Sequence, residues 1–256
     1  MKVSSIRTGL FGLAALVAVT FALPQQAHAF DDAEKTEIGQ IVRDYLMANP
    51  EVMLEVQAAL EKKREADRVA SQQKTLNESH DEIYSTDNEI EIGNPDAKVT
   101  VVEFFDYNCG FCHRALDDMN RLVQENDNVR FILREFPILS PQSLEAHKVS
   151  IAFSKMMPDK AAEFHRALLG ADGRKDGDMA LELGVTLGAD REALKSASEA
   201  PEVMAAVREA HKLADGLGIT GTPSYVIGEE VVFGAVGYDA LADKIAQLGA
   251  CGKATC

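Results

Sequence analysis

The chain has 256 residues, 46% of them hydrophobic, and a formal net charge of -15. That length buries a sizeable core, either as one large domain or as one domain with an appendage. The acidic balance argues against nucleic acid and anionic lipid as partners, because neutralising phosphates takes a basic face.

Met1 to Ala29 has the three parts of a secretory signal: basic Lys2 and Arg7, an apolar stretch from Leu10 to Leu23, and Ala27-His28-Ala29 ahead of Phe30. Cleavage is expected after Ala29; Lys2 and Arg7 are the only charges removed, so the mature charge becomes -15 - 2 = -17. The apolar stretch is shorter than the roughly 20 residues that a membrane-spanning helix needs. Export places the four cysteines in an oxidising compartment, and the even count suggests two pairs, Cys109 with Cys112 and Cys251 with Cys256.

Residues 30–85 read as helical. Asp31 or Asp32 can cap a first helix, and Ile38, Ile41, Val42, Tyr45 and Leu46 fall on one stripe before Asn49-Pro50 ends it. Pro50 suits the first turn of a second helix, whose stripe of Met53, Val56 and Leu60 fades into the charged run Glu61 to Glu65. Two such helices cannot bury a stripe alone, so they dock on the main domain, associate with other copies of the chain, or form a solvated charged spacer. Val69, Leu76 and Ile83 recur at seven but out of phase with Met53 and Leu60, which makes the coiled-coil signal weak.

The main domain spans 86–250. Glu89 to Ile92 alternates like an edge strand, residues 93–96 turn, and Val99 to Phe105 is a β-branched and aromatic run too continuous to be half-exposed, hence a buried central strand. Asp106, Tyr107 and Asn108 end it, and the spacing of Leu116, Met119, Leu122 and Val123 opens a helix at about Cys109. Unpaired N-H groups and the positive end of the helix dipole favour thiolate over thiol at Cys109, a candidate nucleophile. Cys112 lies on the same helical face, close enough to close a disulfide or to resolve a mixed one. Glu103 is the only carboxylate in the apolar part of the strand; burial would raise its pKa and let it ferry the Cys112 proton.

Val129 to Phe136 is a further strand, completing a βαβ unit. Residues 138–218 are helical in pieces, broken at Pro158, Gly170 to Gly177, Gly188 and Pro201. Ser224 to Ile227 and Val231 to Phe233 form a hairpin, and Tyr238 to Leu248 a closing helix. A tail over 251–256 holds Cys251 and Cys256, read as a structural staple worth about 2 kcal/mol for so short a loop.

The strand, the acid six positions upstream, the Cys-x-x-Cys at a helix start and Gly221-Thr222-Pro223-Ser224-Tyr225-Val226-Ile227 resemble the thioredoxin superfamily. Phe105-Asp106-Tyr107-Asn108-Cys109-Gly110-Phe111-Cys112-His113 most resembles its DsbA branch, and Asn49-Pro50-Glu51-Val52 with Gly234-Ala235-Val236-Gly237-Tyr238-Asp239 is similar to ScsC-like exported proteins. The resemblance implies an α/β thioredoxin fold with the 138–218 helices as an insertion beside the cysteines. It also implies a cis Thr222-Pro223 bond facing them, with the Thr222 backbone free to pair with a substrate strand. Periplasmic disulfide exchange follows, with exported cysteine-containing proteins as substrates, a membrane redox partner and no resident cofactor or metal. The dipeptide Gly110-Phe111 brings no charge to the thiolate, so a weaker oxidant is expected than from relatives with a histidine between the cysteines. Direction depends on 30–85: several copies joined there favour isomerisation or reduction, a monomer favours a dithiol oxidase, and the stripe from Ile38 to Leu46 tips the reading to isomerase.

Rival readings take the same residues. Cys109-Gly110-Phe111-Cys112-His113 matches a c-type haem attachment motif, with Met156, Met157 or Met204 as distal ligands, though a haem crevice needs neither the buried strand nor the proline motif. Four thiolates suit zinc or copper(I), and a transient copper contact at reduced Cys109 and Cys112 fits an ScsC-like protein. A holdase with an incidental disulfide would keep working after Cys109→Ser. His80, His147, His165 and His211 form no metal-spaced cluster in the sequence.

Overall fold

The computed structural model describes residues 30–85 and 89–255. The secretory signal over 1–29 and the 85/86 boundary, which abuts residues 86–88, lie outside the described residues, as does Cys256. Contacts divide the chain into two compact units, one reaching to Ala59 and one beginning at Leu60.

In the first unit, α1 spans Asp32–Ala48. Asp31 caps it through a reciprocal box with Glu34: the Asp31 carboxylate accepts the Glu34 N-H at 2.8 Å and Glu34 accepts the Asp31 N-H at 2.9 Å. None of its residues is buried. Helix α2 spans Glu51–Glu78 and crosses into the second unit. The apolar stripe stops near Leu60 as the sequence suggests, yet the helix does not, because the charged residues beyond it are good helix formers linked by Lys63–Asp67 and Glu65–Arg68 pairs.

The second unit shows why residues 60–84 belong with the main domain although the sequence pattern groups them with 30–59. Leu76 and Ile83, on α2 and on the short α3 (His80–Tyr84), are buried against Val102, Phe104, Ile132, Leu213 and Leu217. Arg134, 2% exposed, binds Glu89 at 2.5 Å and the carbonyls of Glu82, Ile83 (3.0 Å) and Ser85 (3.1 Å), tying the end of α3 to the sheet. Burial raises the Glu89 carboxyl to about 8, and the guanidinium pulls the other way.

Among the described residues, five strands form one sheet in the order β1-β3-β2-β4-β5: β1 Ile90–Gly93, β2 Val99–Phe105, β3 Val129–Glu135, β4 Ser224–Ile227 and β5 Glu230–Phe233. β2 pairs parallel with β3, and every other pairing is antiparallel. The central place of β2 explains its continuous apolar run. Side chains alternate across the sheet, so Val102 and Phe104 face α2, α3 and α9 (Pro201–Leu217), while Val101, Glu103 and Phe105 share the face covered by α4 (Gly110–Glu125) and α10 (Tyr238–Cys251). Between β3 and β4 lie α5 (Pro141–Met156), α6 (Ala161–Gly170), α7 (Gly177–Thr186), α8 (Arg191–Ser198) and α9 (Pro201–Leu217), the helical insertion expected over 138–218. Together they give the α/β thioredoxin-like architecture.

Helix α9 stops at Gly218, whose left-handed φ of 67° suits glycine. Its last carbonyls are capped from α2: Ser71 Oγ and Thr75 Oγ1 donate to Gly216 O, and Gln72 Nε2 donates to Leu217 O at 2.7 Å. A Cβ at Gly216 would sit 2.6 Å from Thr75 Oγ1, so the close approach requires glycine.

Candidate active site

Strand β2 delivers the chain to a turn built on Asp106. Its buried carboxylate accepts from the backbone N-H of Asn108 (2.8 Å), Ile138 (2.9 Å) and Leu139 (3.0 Å), and its carbonyl accepts from Cys109 N at 2.9 Å. Cys109 is thereby held as the N-cap of α4, with extended φ and ψ of -81° and 112°. Both cysteines are unbonded; Cys109 is 6% exposed and Cys112 fully buried.

The two sulfurs differ in character. A hydrogen bond from the Cys112 thiol is the largest influence lowering the Cys109 pKa to about 5. Burial opposes the shift, and the Thr222 side chain with the N-H groups of Cys112 and Phe111 adds to it. Thr222 Oγ1 has no conventional partner among the described residues. The helix terminus invoked from the sequence contributes through those N-H groups, but the neighbouring thiol weighs more. Cys112 is pushed the other way, first by burial, then by its bond to Cys109 and by Glu103. Buried Glu103, facing Cys112 from β2, is raised to about 8 by burial first and by Cys109 second.

The bond between Thr222 and Pro223 is cis. As a thiol, Cys109 Sγ donates to the Thr222 carbonyl at 3.1 Å. A thiolate cannot donate, so ionisation at Cys109 releases that carbonyl for another donor. Phe111 is 58% exposed between the cysteines, and Gly110 has open space where a Cβ would be. Cys109, Cys112, Glu103, Gly110, Phe111, Thr222 and Pro223 are therefore gathered at one end of β2.

Cys251 is not part of this group. It is disulfide-bonded, and its expected partner Cys256 lies outside the described residues. A Cβ at nearby Gly249 would meet Val99, the first residue of β2, whereas Cys109 follows the opposite end of that strand. Among the described residues, Cys251 is not assembled with Cys109 and Cys112 into one thiolate site. His113 Nε2 lies 3.3 Å from the Gly170 carbonyl, and among the described residues no group of three or more His, Cys, Asp or Glu is arranged to hold a metal.

One buried assembly has no counterpart in the sequence reading. Tyr107 N donates to His147 Nε2 at 3.2 Å, which leaves His147 Nδ1 to donate to Glu135 Oε2. Ser150 Oγ donates to Glu135 Oε1 at 2.6 Å and meets Tyr107 Oη at 2.7 Å, with His165 Nδ1 at 3.4 Å. Burial, then Arg166 and His147, lower His165 to about 3 and keep it neutral. Residues from β3, α5 and α6 thus fix the residue two before Cys109. Apart from His147 and Ser150, one turn apart on α5, the members are many positions from one another, and no local spacing announces the set.

The DSBA-like thioredoxin domain family matches residues 100–246, and the family described as copper resistance protein ScsC N-terminal domain matches residues 34–67. Among solved structures, the chain is similar to a thioredoxin-like oxidoreductase from Silicibacter pomeroyi, with 37% identity and a TM-score of 0.63 over 67% of this chain and 98% of that one. The thiol-disulfide exchange protein alpha-DsbA2 from Wolbachia pipientis is 26% identical with a TM-score of 0.65 over 71% of this chain and 98% of that one. Proteus mirabilis ScsC in a transitional conformation is 28% identical, TM-score 0.60, over 84% of this chain and 94% of that one. No curated protein matches the chain. With a match over residues 100–246, more than half of its length, around a reduced Cys-x-x-Cys at a helix start, the chain belongs to the DSBA-like thioredoxin domain family of thiol-disulfide oxidoreductases.

Proposed function

We propose that this protein is a periplasmic enzyme of disulfide exchange in exported proteins, working as an isomerase or reductase in a self-associated state. The observation that carries the exchange chemistry is the opposite displacement of two adjacent thiols, Cys109 toward thiolate and Cys112 toward thiol. The Cys109 thiolate attacks one sulfur of a client disulfide, forms a mixed disulfide and releases the other client sulfur as a thiolate. That thiolate can attack elsewhere in the client until a new pairing expels Cys109. Alternatively Cys112 yields its proton to Glu103, attacks Cys109 Sγ and expels the client thiolate, leaving a Cys109–Cys112 disulfide and a client reduced by two electrons. A membrane redox partner then restores the dithiol.

Direction rests on the first unit. Ile41, Val42 and Tyr45 are 60%, 52% and 58% exposed on α1, and Met53 and Leu54 on α2 are 57% and 69% exposed, a stripe that a second copy of the chain would cover. The likeness to a periplasmic thioredoxin-like protein from Salmonella enterica serovar Typhimurium supports the location. The test is sedimentation of the mature protein and of an Ile41→Asp, Tyr45→Asp variant, each followed by reactivation of scrambled ribonuclease. An oligomer that reactivates, and a monomeric variant that does not, is the expected result. A monomeric wild type that oxidises reduced substrates would replace this reading with a dithiol oxidase.

A further inference from the structure

Arg114 follows the cysteine pair on α4 and is exposed. Two carboxylates, Asp117 and Asp118, stand three and four residues further along the same helix, the spacings at which an ion pair forms most easily. Arg114 uses neither. Asp118 accepts the Tyr238 backbone N-H and feels Arg121, while Arg114 turns the other way and lays its guanidinium 4.3 Å over the centroid of the Phe111 ring. Among the described residues it makes no ion pair. A guanidinium stacked on a ring keeps its N-H edge in the ring plane's direction and free, the geometry that receives a carboxylate through two parallel hydrogen bonds. The ring beneath it is the exposed one between Cys109 and Cys112.

A second cation borders the same loop. Lys175 is 6% exposed and is seated by Asn108, the residue before Cys109: Lys175 N donates to Asn108 Oδ1 at 2.8 Å and Asn108 Nδ2 donates to Lys175 O at 2.8 Å. Its ammonium also has no ion-pair partner among the described residues; Asp172 acts on it only from beyond contact distance, and burial lowers its pKa. On a chain of net charge -15, Arg114 and Lys175 put two cations on the segments that border the cysteine loop.

We infer that Phe111 and Arg114 together form a reading platform for clients: the ring takes an apolar side chain next to the client cysteine, and the guanidinium takes an acidic side chain close to it in sequence. Arg114 is then a specificity-determining residue of the exchange reaction proposed above. The inference rests on that reading, and the experiment separates the two.

Single-cysteine peptides carrying glutamate or lysine beside the cysteine, each activated as a thionitrobenzoate disulfide, are mixed with the reduced full-length protein and followed at the release of thionitrobenzoate. The leaving group is common to both peptides and cancels in the ratio of rate constants. The wild type should favour the glutamate peptide about fivefold at low ionic strength, the ratio shrinking as salt is added. Arg114→Gln should bring the ratio toward one and Arg114→Glu should invert it. A wild-type ratio near one, or a ratio unmoved by both substitutions, overturns the platform while leaving disulfide exchange intact. Failure to react with either peptide overturns the exchange reading itself.

Discussion

Glu103 stands directly across the β2–β4 ladder from Tyr225, and among the described residues no cation offsets the burial that raises its carboxyl to about 8. A proton acceptor placed this way is ionised only as pH climbs through that value. Resolution of a mixed disulfide by Cys112 should therefore accelerate with pH up to about 8. Glu103→Gln should slow that step about 100-fold and remove the inflection. Rapid-mixing decay of a preformed mixed disulfide, followed from pH 6 to 9, checks both.

Cys109 should titrate at about 5 in the folded dithiol, seen as thiolate absorbance at 240 nm that Cys109→Ser removes. This is well below an ordinary thiol and above the ~3.5 of the strongest oxidants, in keeping with the uncharged Gly110-Phe111 dipeptide.

The same displacement has a thermodynamic counterpart. A depressed folded pKa contributes stability that is complete above the unfolded value near 9 and disappears as pH falls through 5, so the reduced protein should gain on its disulfide form between those limits. Glu103 has the opposite sign: its folded pKa is raised, and its contribution is complete below 4.5 and lost as pH rises to about 8. Urea unfolding of both redox forms at pH 5, 7 and 9 should show the reduced-minus-oxidised difference growing, and Cys109→Ser, which has neither the thiolate nor the disulfide, should lack the gain that the reduced wild type shows between pH 5 and 9.

His147→Ala should destabilise the fold by about 3 kcal/mol, because it strands the Glu135 carboxylate and the Tyr107 N-H in a buried setting. Denaturant unfolding gives the loss, and a shift of the Cys109 titration in the same variant would show the loop before Cys109 relaxing with it.

Arg134→Met should cost about 3–5 kcal/mol by leaving Glu89 and three carbonyls without their donor. Protease cutting should then concentrate around α3, which that guanidinium holds to β3; unchanged cutting there would show that Ile83 alone secures it.

Much of this was legible in the chain because the determinants are local. The continuous run Val99 to Phe105, the Cys-x-x-Cys at the following helix start and the Gly221-Thr222-Pro223 motif each fix their own geometry within a few residues. The strand bounds agree with those observed to within one residue, and the closing helix runs on to Cys251. What stayed hidden depends on distant partners. Leu76 and Ile83 look like one more weak stripe until the sheet face formed by Val102 and Phe104 is there to receive them. The Glu135, His147, Ser150, Tyr107 and His165 assembly joins three elements and the turn after β2, with no periodicity in common. The fully charged stretch of α2 reads as the end of a helix when apolar spacing is the guide, and as its continuation when helix propensity is.

The capping of α9 by Ser71, Gln72 and Thr75 bears on any attempt to excise the catalytic portion. A fragment begun at β1, where the family likeness first becomes obvious, would expose two open carbonyls and a bare apolar trough five residues upstream of Thr222. A piece that keeps these caps starts ahead of Ser71, so a graft that exchanges the amino-terminal arm has to splice upstream of that point or bring its own plug.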